Sequence, residues 1–210
     1  DALREAQKET GLACAVVCME PNFGLTERTP DDEIIRSFAE STRVARSFGC
    51  SRLISVPGLC PPGETFEMTR RRVLRRVRAM ARVAEDAGVT VVLEPLNPLV
   101  DHKGAWLTKM AEAADIVEEV GSPSIKILCD LYHQQVTEGN LLANFTAYAP
   151  MIGHIHTAGV PGRTELVGGE LDYAAIFRAF RKTVYSGYIG LEYTPTRDVE
   201  SGLREALGLL

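Results

Sequence analysis

Four polar side chains stand at the ends of short apolar segments, and their types are those that hold a divalent metal ion. Glu94 closes VVLE, Asp130 closes ILCD, His156 lies near the end of IGHIH, and Glu192 closes IGLE. Each could be an ordinary solvated loop residue. Three carboxylates brought close together repel one another, however, and are costly to bury without a cation. Oxygen ligands with one imidazole favour Mn²⁺, Mg²⁺ or Co²⁺, and Zn²⁺ is less suitable.

The segments that carry these residues alternate with helical patterns along the chain. Apolar runs rich in β-branched residues predict strands at 12–19, 52–58, 90–96, 125–131, 152–158 and 188–194. Helical patterns follow at 31–48, 65–87, 105–120, 140–148, 172–183 and 198–208, and the first residues also form one. Gly49, Gly88 and Gly121 stand where a left-handed helix cap is wanted. This alternation predicts parallel β/α units.

The predicted fold is a (β/α)8 barrel of the TIM type, formed by residues 1–210 as a single domain. Such a barrel needs eight strands. Because six are predicted and the sequence opens in a helix, we expect roughly the first two β/α units to be absent from it. A doubly wound open sheet of six strands is the alternative. In a barrel the strand ends share one face, so Glu94, Asp130, His156 and Glu192 would converge there, their separations of 36, 26 and 36 residues fitting successive units.

Composition argues against nucleic acid and membrane as partners. The 210 residues carry a formal net charge of −5, whereas nucleic-acid binders are usually basic. The arginine-rich stretch 70–78 has helical apolar spacing, which predicts a solvated helix with its arginines mostly on the outer face. No apolar run is long enough to span a membrane. Five cysteines without a CxxC pair predict reduced, mostly buried thiols of a cytoplasmic protein.

From about residue 88 onward the sequence resembles the xylose-isomerase-like sugar isomerase/epimerase superfamily, and within it the hydroxypyruvate isomerase branch. The matching segments include VVLEPLNP, the Asp-x-x-His pair in ILCDLYHQQVTEGNL, IGHIHTAGVPGRTE, GGELDY and GYIGLEYTP. The branch often carries Gln at the position of His156 and His at that of Thr164. His156 instead matches the ketose 3-epimerase branch, which leaves two alternatives for the substrate.

The resemblance implies roles for individual residues. Glu94, Asp130, His156 and Glu192 would be the metal ligands, and Glu94 and Glu192 would also be the acid/base pair. His133, the second member of the Asp-x-x-His pair, would contact substrate, as would Arg163 of GVPGR.

The chemistry of these residue types agrees with those roles. Isomerisation of a hydroxy-aldehyde to a hydroxy-ketone removes a proton beside a carbonyl and returns it one atom away. A metal stabilises the enediolate, and two carboxylates on opposite sides of it serve as base and acid.

Several nearby residues have two interpretations each. Asn97 either donates a hydrogen bond to substrate or caps a turn before Pro98. Trp106 either walls the substrate pocket or belongs to the core. His154 lies one layer below His156 and is expected to be a hydrogen-bonded core histidine, and His102 is a loop residue, either exposed or near the site.

Several functions remain open at this point. The first is a metal-dependent isomerase of a small hydroxy-keto compound such as hydroxypyruvate, with a ketose 3-epimerase as the alternative. A zinc-dependent apurinic-site endonuclease would need more ligands than one cluster supplies. A barrel without activity is a further alternative. A barrel short of two strands would expose strand edges, which favours homo-oligomers or instability.

Overall fold

The computed structural model describes residues 2–20, 22 and 24–210. Within them one parallel sheet has six strands in sequential order. The strands are β1 (Val17–Cys18), β2 (Arg52–Ser55), β3 (Thr90–Leu93), β4 (Ile125–Asp130), β5 (Ile152–Thr157) and β6 (Ile189–Leu191). A doubly wound sheet reverses its strand order at a switch point. The sequential order of this curled sheet is instead that of a (β/α) barrel, as predicted.

The helices lie between and beside the strands. They are α1 (Ala2–Thr10), α2 (Asp31–Ser47), α3 (Phe66–Ala87), α4 (Met110–Val120), α5 (Leu131–Thr137), α6 (Leu141–Tyr148), α7 (Tyr173–Phe180) and α8 (Val199–Leu207). Gly88 and Gly121 end α3 and α4 with φ of 64° and 68°, the left-handed conformation that glycine adopts without strain. No described helix combines the length and apolarity that a membrane crossing would need.

Both faces of the central strands are apolar, for different reasons. Val91 and Leu93 of β3 belong to the main core that packs beneath the helices. Val92 points the opposite way and joins Ile54 and Leu128 in a separate cluster inside the curled sheet. The strands are therefore held from both sides, and their carboxyl ends are fixed along one edge.

Two helix predictions around the strand ends differ from the structure. The helix predicted from residue 105 begins only at Met110, where the carboxylate of Glu112 caps it by accepting from the backbone N–H of Lys109 at 3.1 Å. Helix α5 was not predicted, because the seven residues after Asp130 show no clear apolar period. Asp130 itself starts that helix, since its Oδ1 accepts from the backbone N–H groups of Tyr132 and His133.

The arginine-rich stretch differs from its prediction at one position. Arg76 is 2% exposed and lies inside the molecule. Its guanidinium donates to the backbone carbonyls of Gly24, Leu25 and Glu27 and to the carboxylate of Asp31 at 2.7 Å. Arg76 thus fastens the loop before α2 to α3, a role that the helical spacing did not reveal.

The cysteine prediction is wrong in its detail of burial. Cys50 and Cys129 are buried, but Cys18 and Cys60 are exposed and Cys14 is half-buried. Cys14 precedes the short edge strand β1 and Cys18 ends it, and only β2 pairs with this strand within the described sheet. An apolar run at a sheet edge therefore buries less than the same run would at its centre.

Candidate active site

Four side chains meet at the carboxyl edge of the sheet, at the ends of β3, β4, β5 and β6. Glu94, Asp130, His156 and Glu192 each offer one ligand atom, and all four atoms lie within 4.8 Å of one another. Ligands on opposite sides of one hard cation are separated by roughly 4–5 Å, twice the usual bond length. The geometry therefore fits a single shared cation, as the sequence predicts.

Strand register and a glycine set the level of the cluster. Asp130 is the direct partner of His156 across β4 and β5, and His156 is the partner of Gly190 in β6. A Cβ at Gly190 would lie 2.9 Å from Cδ2 of His156. Glycine at this position therefore leaves the space that the imidazole ring of His156 occupies.

Two of the carboxylates are buried beside each other. Glu94 is 5% exposed and Asp130 is 1% exposed. Burial raises the pKa of Glu94 well above its usual range, and the negative charges of Asp130 and Glu192 raise it further. Burial likewise raises the pKa of Asp130 to about 6. Without a bound cation, the ionised forms of Glu94 and Asp130 are therefore energetically unfavourable.

Glu192 has a different environment on the open side of the cluster. Its side chain is half-exposed, its Oε2 lies 3.0 Å from Nδ1 of His156, and it accepts from the guanidinium of Arg163 at 2.7 Å. Burial acts to raise the pKa of Glu192, but the hydrogen bond with His156 and the charge of Arg163 bring it down to about 2. In the protein without metal, Glu192 is therefore ionised at neutral pH, whereas Glu94 tends to keep its proton.

The ligand atoms of the cluster suit a cation in their chemistry as well as in their spacing. Asp130 Oδ2 is buried and accepts no hydrogen bond within the described part of the chain. The guanidinium of Arg163 lies 3.6 Å from that oxygen and also contacts Glu192. Three carboxylates around this one guanidinium leave excess negative charge, so the cluster fits a divalent cation with mainly oxygen ligands.

His133 lies directly behind the cluster, on the first turn of α5. Its Nε2 is 3.9 Å from both Glu94 Oε1 and Asp130 Oδ2, and it has no hydrogen-bond partner among the described residues. Burial, followed by the positive charge of Arg163, lowers the pKa of His133 to about 3. The ring is therefore neutral, and one of its nitrogens faces the site without a protein partner.

Arg163 reaches the cluster from the loop after β5. Its backbone has φ of 54°, the left-handed region that non-glycine residues seldom occupy. Its guanidinium lies 5.2 Å from the centre of the Tyr132 ring, a cation–π contact that supports the side chain from below. The structure thus brings together six of the eight predicted site residues through direct contacts, counting Glu94, Asp130, His133, His156, Arg163 and Glu192.

Asn97 joins this group through His133, whereas Trp106 does not. Asn97 is fully buried, and its Nδ2 lies 2.7 Å from Nδ1 of His133. Trp106 is 2% exposed, lies in the main core and stacks on Phe66 with ring centres 5.0 Å apart. No described contact links Trp106 to the cluster, so a part in substrate binding remains only a prediction for it.

The two weaker histidine candidates also have clear positions. His154 is buried, but neither ring nitrogen has a hydrogen-bond partner in the described chain, which corrects the expectation of a hydrogen-bonded core histidine. Burial lowers the pKa of His154 to about 4, so the ring is neutral. His102 places its ring edge-on to His133 at 5.3 Å and is therefore close to the site.

Sequence reasoning missed two residues that support the site. The hydroxyl of Tyr132 donates to Asp101 at 2.8 Å, and Asp101 also accepts from Asn97 at 2.7 Å. The position of Tyr132 between Asp130 and His133 was the available signal. Asp101 and His102 also line a cavity of about 1010 Å³, although none of the four cluster residues lines it.

Comparisons with known proteins agree with this fold and site. A family model described as a xylose isomerase-like TIM barrel matches residues 1–210. The chain is 31% identical over 174 residues to a hydroxypyruvate isomerase of Escherichia coli, covering 83% of this chain and 67% of that protein. It is 35% identical over 155 residues to a 2-oxo-tetronate isomerase of Cupriavidus necator, covering 74% of this chain and 59% of the relative.

Solved structures show the same fold. A Brucella melitensis protein described as an AP endonuclease of family 2 aligns with a TM-score of 0.90 and 25% identity, covering 98% of this chain and 82% of that one. An Escherichia coli 3-keto-D-glucoside 4-epimerase aligns with a TM-score of 0.85 and 24% identity, covering 98% and 81%. The architecture is thus shared by proteins with different names.

Proposed function

Because this chain belongs to the xylose isomerase-like TIM-barrel family, we propose that it is an isomerase of small hydroxy-aldehyde and hydroxy-ketone compounds. Relatives are named isomerases, and the chain is an enzyme. The observation that carries the proposal is the meeting of Glu94, Asp130, His156 and Glu192 within 4.8 Å. Two of these residues are glutamates in unlike electrostatic environments, which suits proton transfer.

The four residues would hold one divalent cation, for which we propose Mn²⁺, Mg²⁺ or Co²⁺. Three carboxylates and one imidazole favour these ions over ions that prefer thiolate ligands. When bound, the cation would supply the positive charge that polarises a carbonyl group and offsets the charge of an enediolate. The buried, unpartnered Oδ2 of Asp130 supports this assignment.

Glu94 and Glu192 would move the proton. One carboxylate removes the proton from the carbon beside the carbonyl; the electron pair of that C–H bond forms the C=C bond of the enediol, and the π pair of the C=O bond moves to oxygen. The other glutamate, as its carboxylic acid, returns a proton to the former carbonyl carbon, while the proton of the neighbouring hydroxyl passes to the former carbonyl oxygen, so that the enediol collapses to the new C–H bond and the new C=O group. In the protein without metal, burial raises the pKa of Glu94, whereas His156 and Arg163 lower that of Glu192, so the two carboxylates differ in their environment.

Arg163 and His133 would bind the substrate's oxygens. The guanidinium of Arg163 is positively charged, and an anionic substrate such as hydroxypyruvate carries a carboxylate that it can bind with two parallel hydrogen bonds. The relatives named for hydroxypyruvate and 2-oxo-tetronate both have substrates of this kind. A small hydroxy-keto acid is therefore the substrate class that we propose.

Two other reactions need to be distinguished from this one. A ketose 3-epimerase would use the same two glutamates to remove and return the proton at a single carbon. A zinc endonuclease would need several metal ions, whereas the described residues form one four-ligand cluster. The likeness to the Brucella protein therefore supports the fold more than a nuclease activity.

The test is a substrate panel with the protein loaded separately with Mn²⁺, Mg²⁺ and Co²⁺. Hydroxypyruvate, 2-oxo-tetronate and neutral ketoses are incubated in D₂O, and products and deuterium position are read by NMR. We expect aldehyde–ketone interconversion of a keto acid with deuterium at the carbon that receives the proton. Inversion at one carbon of a neutral ketose would favour the epimerase, and cleavage of abasic DNA without any deuterium incorporation would overturn the proposal.

A further inference from the structure

We infer that Asn97 is a positioning residue that holds the ring of His133 in the tautomer with its proton on Nε2, so that an N–H group points into the cluster. The inference rests on the proposed function only for what that N–H group binds, a substrate oxygen. The tautomer itself follows from the hydrogen bonds around Asn97.

The orientation of the Asn97 amide is fixed by the turn that follows it. Its Oδ1 accepts from the backbone N–H groups of Val100 at 3.0 Å and Asp101 at 3.1 Å. Backbone N–H groups can only donate, so the atom that they face must be the carbonyl oxygen. The amide nitrogen Nδ2 is thereby forced to the opposite side, toward His133 and the carboxylate of Asp101.

The nitrogen of that amide then determines the state of the His133 ring. Nδ2 lies 2.7 Å from Nδ1 of His133, and the backbone N–H of Asn97 also points at Nδ1, at 3.4 Å. Two donors directed at one ring nitrogen require that it accept. A proton on Nδ1 would place N–H against N–H at hydrogen-bond distance, so in the neutral ring the proton resides on Nε2.

The other nitrogen is left free to donate. Nε2 of His133 is buried, has no partner in the described part of the chain, and stands 3.9 Å from Glu94 Oε1 and from Asp130 Oδ2. An unpartnered buried donor is costly unless a ligand satisfies it. An oxygen that gains negative charge during proton transfer is the ligand that a fixed N–H donor stabilises best.

Asparagine is suited to this position because it accepts at one end and donates at the other. Aspartate has the same shape, but it would present an oxygen to Nδ1 and draw the proton there. Nε2 would then be a lone-pair nitrogen facing two carboxylates. The same ring in the same place would repel the substrate oxygen that it otherwise binds.

The experiment compares the 210-residue wild-type chain with Asn97→Asp and Asn97→Leu. Long-range ¹H–¹⁵N NMR at pH 8, with and without Mg²⁺ and without substrate, assigns the proton of the His133 ring. We expect it on Nε2 in the wild type, on Nδ1 in Asn97→Asp, and shared between the two in Asn97→Leu. Turnover of a hydroxy-keto acid should fall on the order of 10²-fold in Asn97→Asp through kcat, as for loss of one oxyanion donor.

A second background separates the tautomer from general damage to the loop. In His133→Gln the side-chain amide can present an N–H near the Nε2 position without any tautomer, so adding Asn97→Asp there should cost less than 3-fold. Asn144→Asp is the matched amide-to-acid control, since Asn144 lies on α6 and donates to Gly139. It should change neither the ring nor the turnover.

The outcomes are distinct from those of the function test. A proton on Nδ1 of His133 in the wild type overturns the inference whatever the enzyme does. An equal loss of turnover from Asn97→Asp in both backgrounds also overturns it. A proton on Nε2 in a protein without isomerase activity would leave the tautomer assignment standing and remove the proposed function alone.

Discussion

Buried charge is handled in opposite ways in two regions of this chain. Around Arg76, which fastens the loop before α2, the cation is surrounded by backbone carbonyls and the carboxylate of Asp31. In the cluster at the strand ends, Glu94 and Asp130 are buried beside each other with one guanidinium nearby. The charge of Arg76 is balanced by partners within the chain, and we call its surroundings the balanced region. The negative charge of the strand-end cluster is not balanced in this way, and we call the cluster the unbalanced region.

The pKa values of the carboxylates record this difference. Hydrogen bonds from Arg75, followed by those from Arg76, lower the pKa of Asp31 to about 2. Burial raises the pKa of Asp130 to about 6. The charge around Arg76 is thus paired within the chain, whereas the negative charge at the strand ends is offset only in part, by Arg163. This contrast supports the proposed binding site without reference to any relative.

The largest expected effect comes from removing one charge of the cluster. Glu94→Gln should lower turnover about 10³-fold or more, because an amide can neither give nor take the proton. The metal-free variant should unfold at the same or a higher temperature than the wild type, since one buried carboxylate no longer needs its charge or its proton. Turnover measured with saturating metal, and thermal unfolding without metal, check the two parts.

Glu118→Gln, on the exposed face of α4, is the control for that change and should leave both quantities as they are. Glu192→Gln is expected to lose turnover in the same way. Retained turnover in either glutamate variant would remove that residue from the proton transfer. A metal-free Glu94→Gln protein much less stable than the wild type would contradict the view that this carboxylate opposes folding.

Substitution of Arg76 should lower the stability of the protein rather than its turnover. Arg76→Met removes a buried cation and leaves the carbonyls of the 24–29 loop without their donor, while Asp31 keeps only its hydrogen bonds from Arg75. We expect a loss of about 3–5 kcal/mol in the free energy of unfolding. Turnover at saturating substrate should persist in the folded fraction. Urea denaturation with Arg82→Met as the exposed control measures this, and a loss under 1 kcal/mol would remove Arg76 from its structural role.

The sequence was sufficient to predict the fold class and the four residues of the cluster for a physical reason. Parallel strands buried on both faces give continuous apolar runs, and their carboxyl ends must lie along one edge. Polar residues that end those runs, such as Glu94 and Asp130, therefore come together whatever the loops do. The positions of these residues along the chain are therefore enough to predict that their side chains meet.

The remainder depended on contacts between distant segments. Arg76 looks like its neighbours in an arginine-rich helix, and only the loop at residues 24–29 distinguishes it. Asp101 and Tyr132 meet across 31 residues, and neither ends a strand. The orientation of the Asn97 amide is set by two backbone N–H groups of a turn. None of these contacts has a periodic signal, so only the structure could show them.

A divalent cation should neutralise the excess negative charge of the unbalanced region and thereby stabilise the protein. At a concentration about 100 times its Kd, Mn²⁺ or Mg²⁺ should add about 2.7 kcal/mol to the free energy of unfolding. Asp130→Asn, which keeps the shape but weakens the ligand, should lose most of that gain. Unfolding curves recorded with metal and with EDTA test this, and Asp31→Asn, outside the cluster, should keep the full gain. Equal stabilisation of the Asp130 variant would place the cation elsewhere.

The smallest effect, and the sharpest contrast, is in pH dependence. Asp31 has a folded pKa of about 2 against about 3.9 when unfolded, so its contribution is present above pH 4 and is lost as pH falls toward 2. Its side chain is 37% exposed, so solvent screening keeps that contribution below about 1 kcal/mol. The raised pKa of Asp130 has the opposite effect: it lowers the free energy of unfolding fully above pH 6, and this loss fades toward pH 4.

Metal-free unfolding between pH 2 and 7 should therefore show the difference between wild type and Asp31→Asn disappearing on acidification from pH 4. The difference for Asp130→Asn should shrink already between pH 6 and 4, and slopes of equal sign for the two variants would contradict the division into a balanced and an unbalanced region.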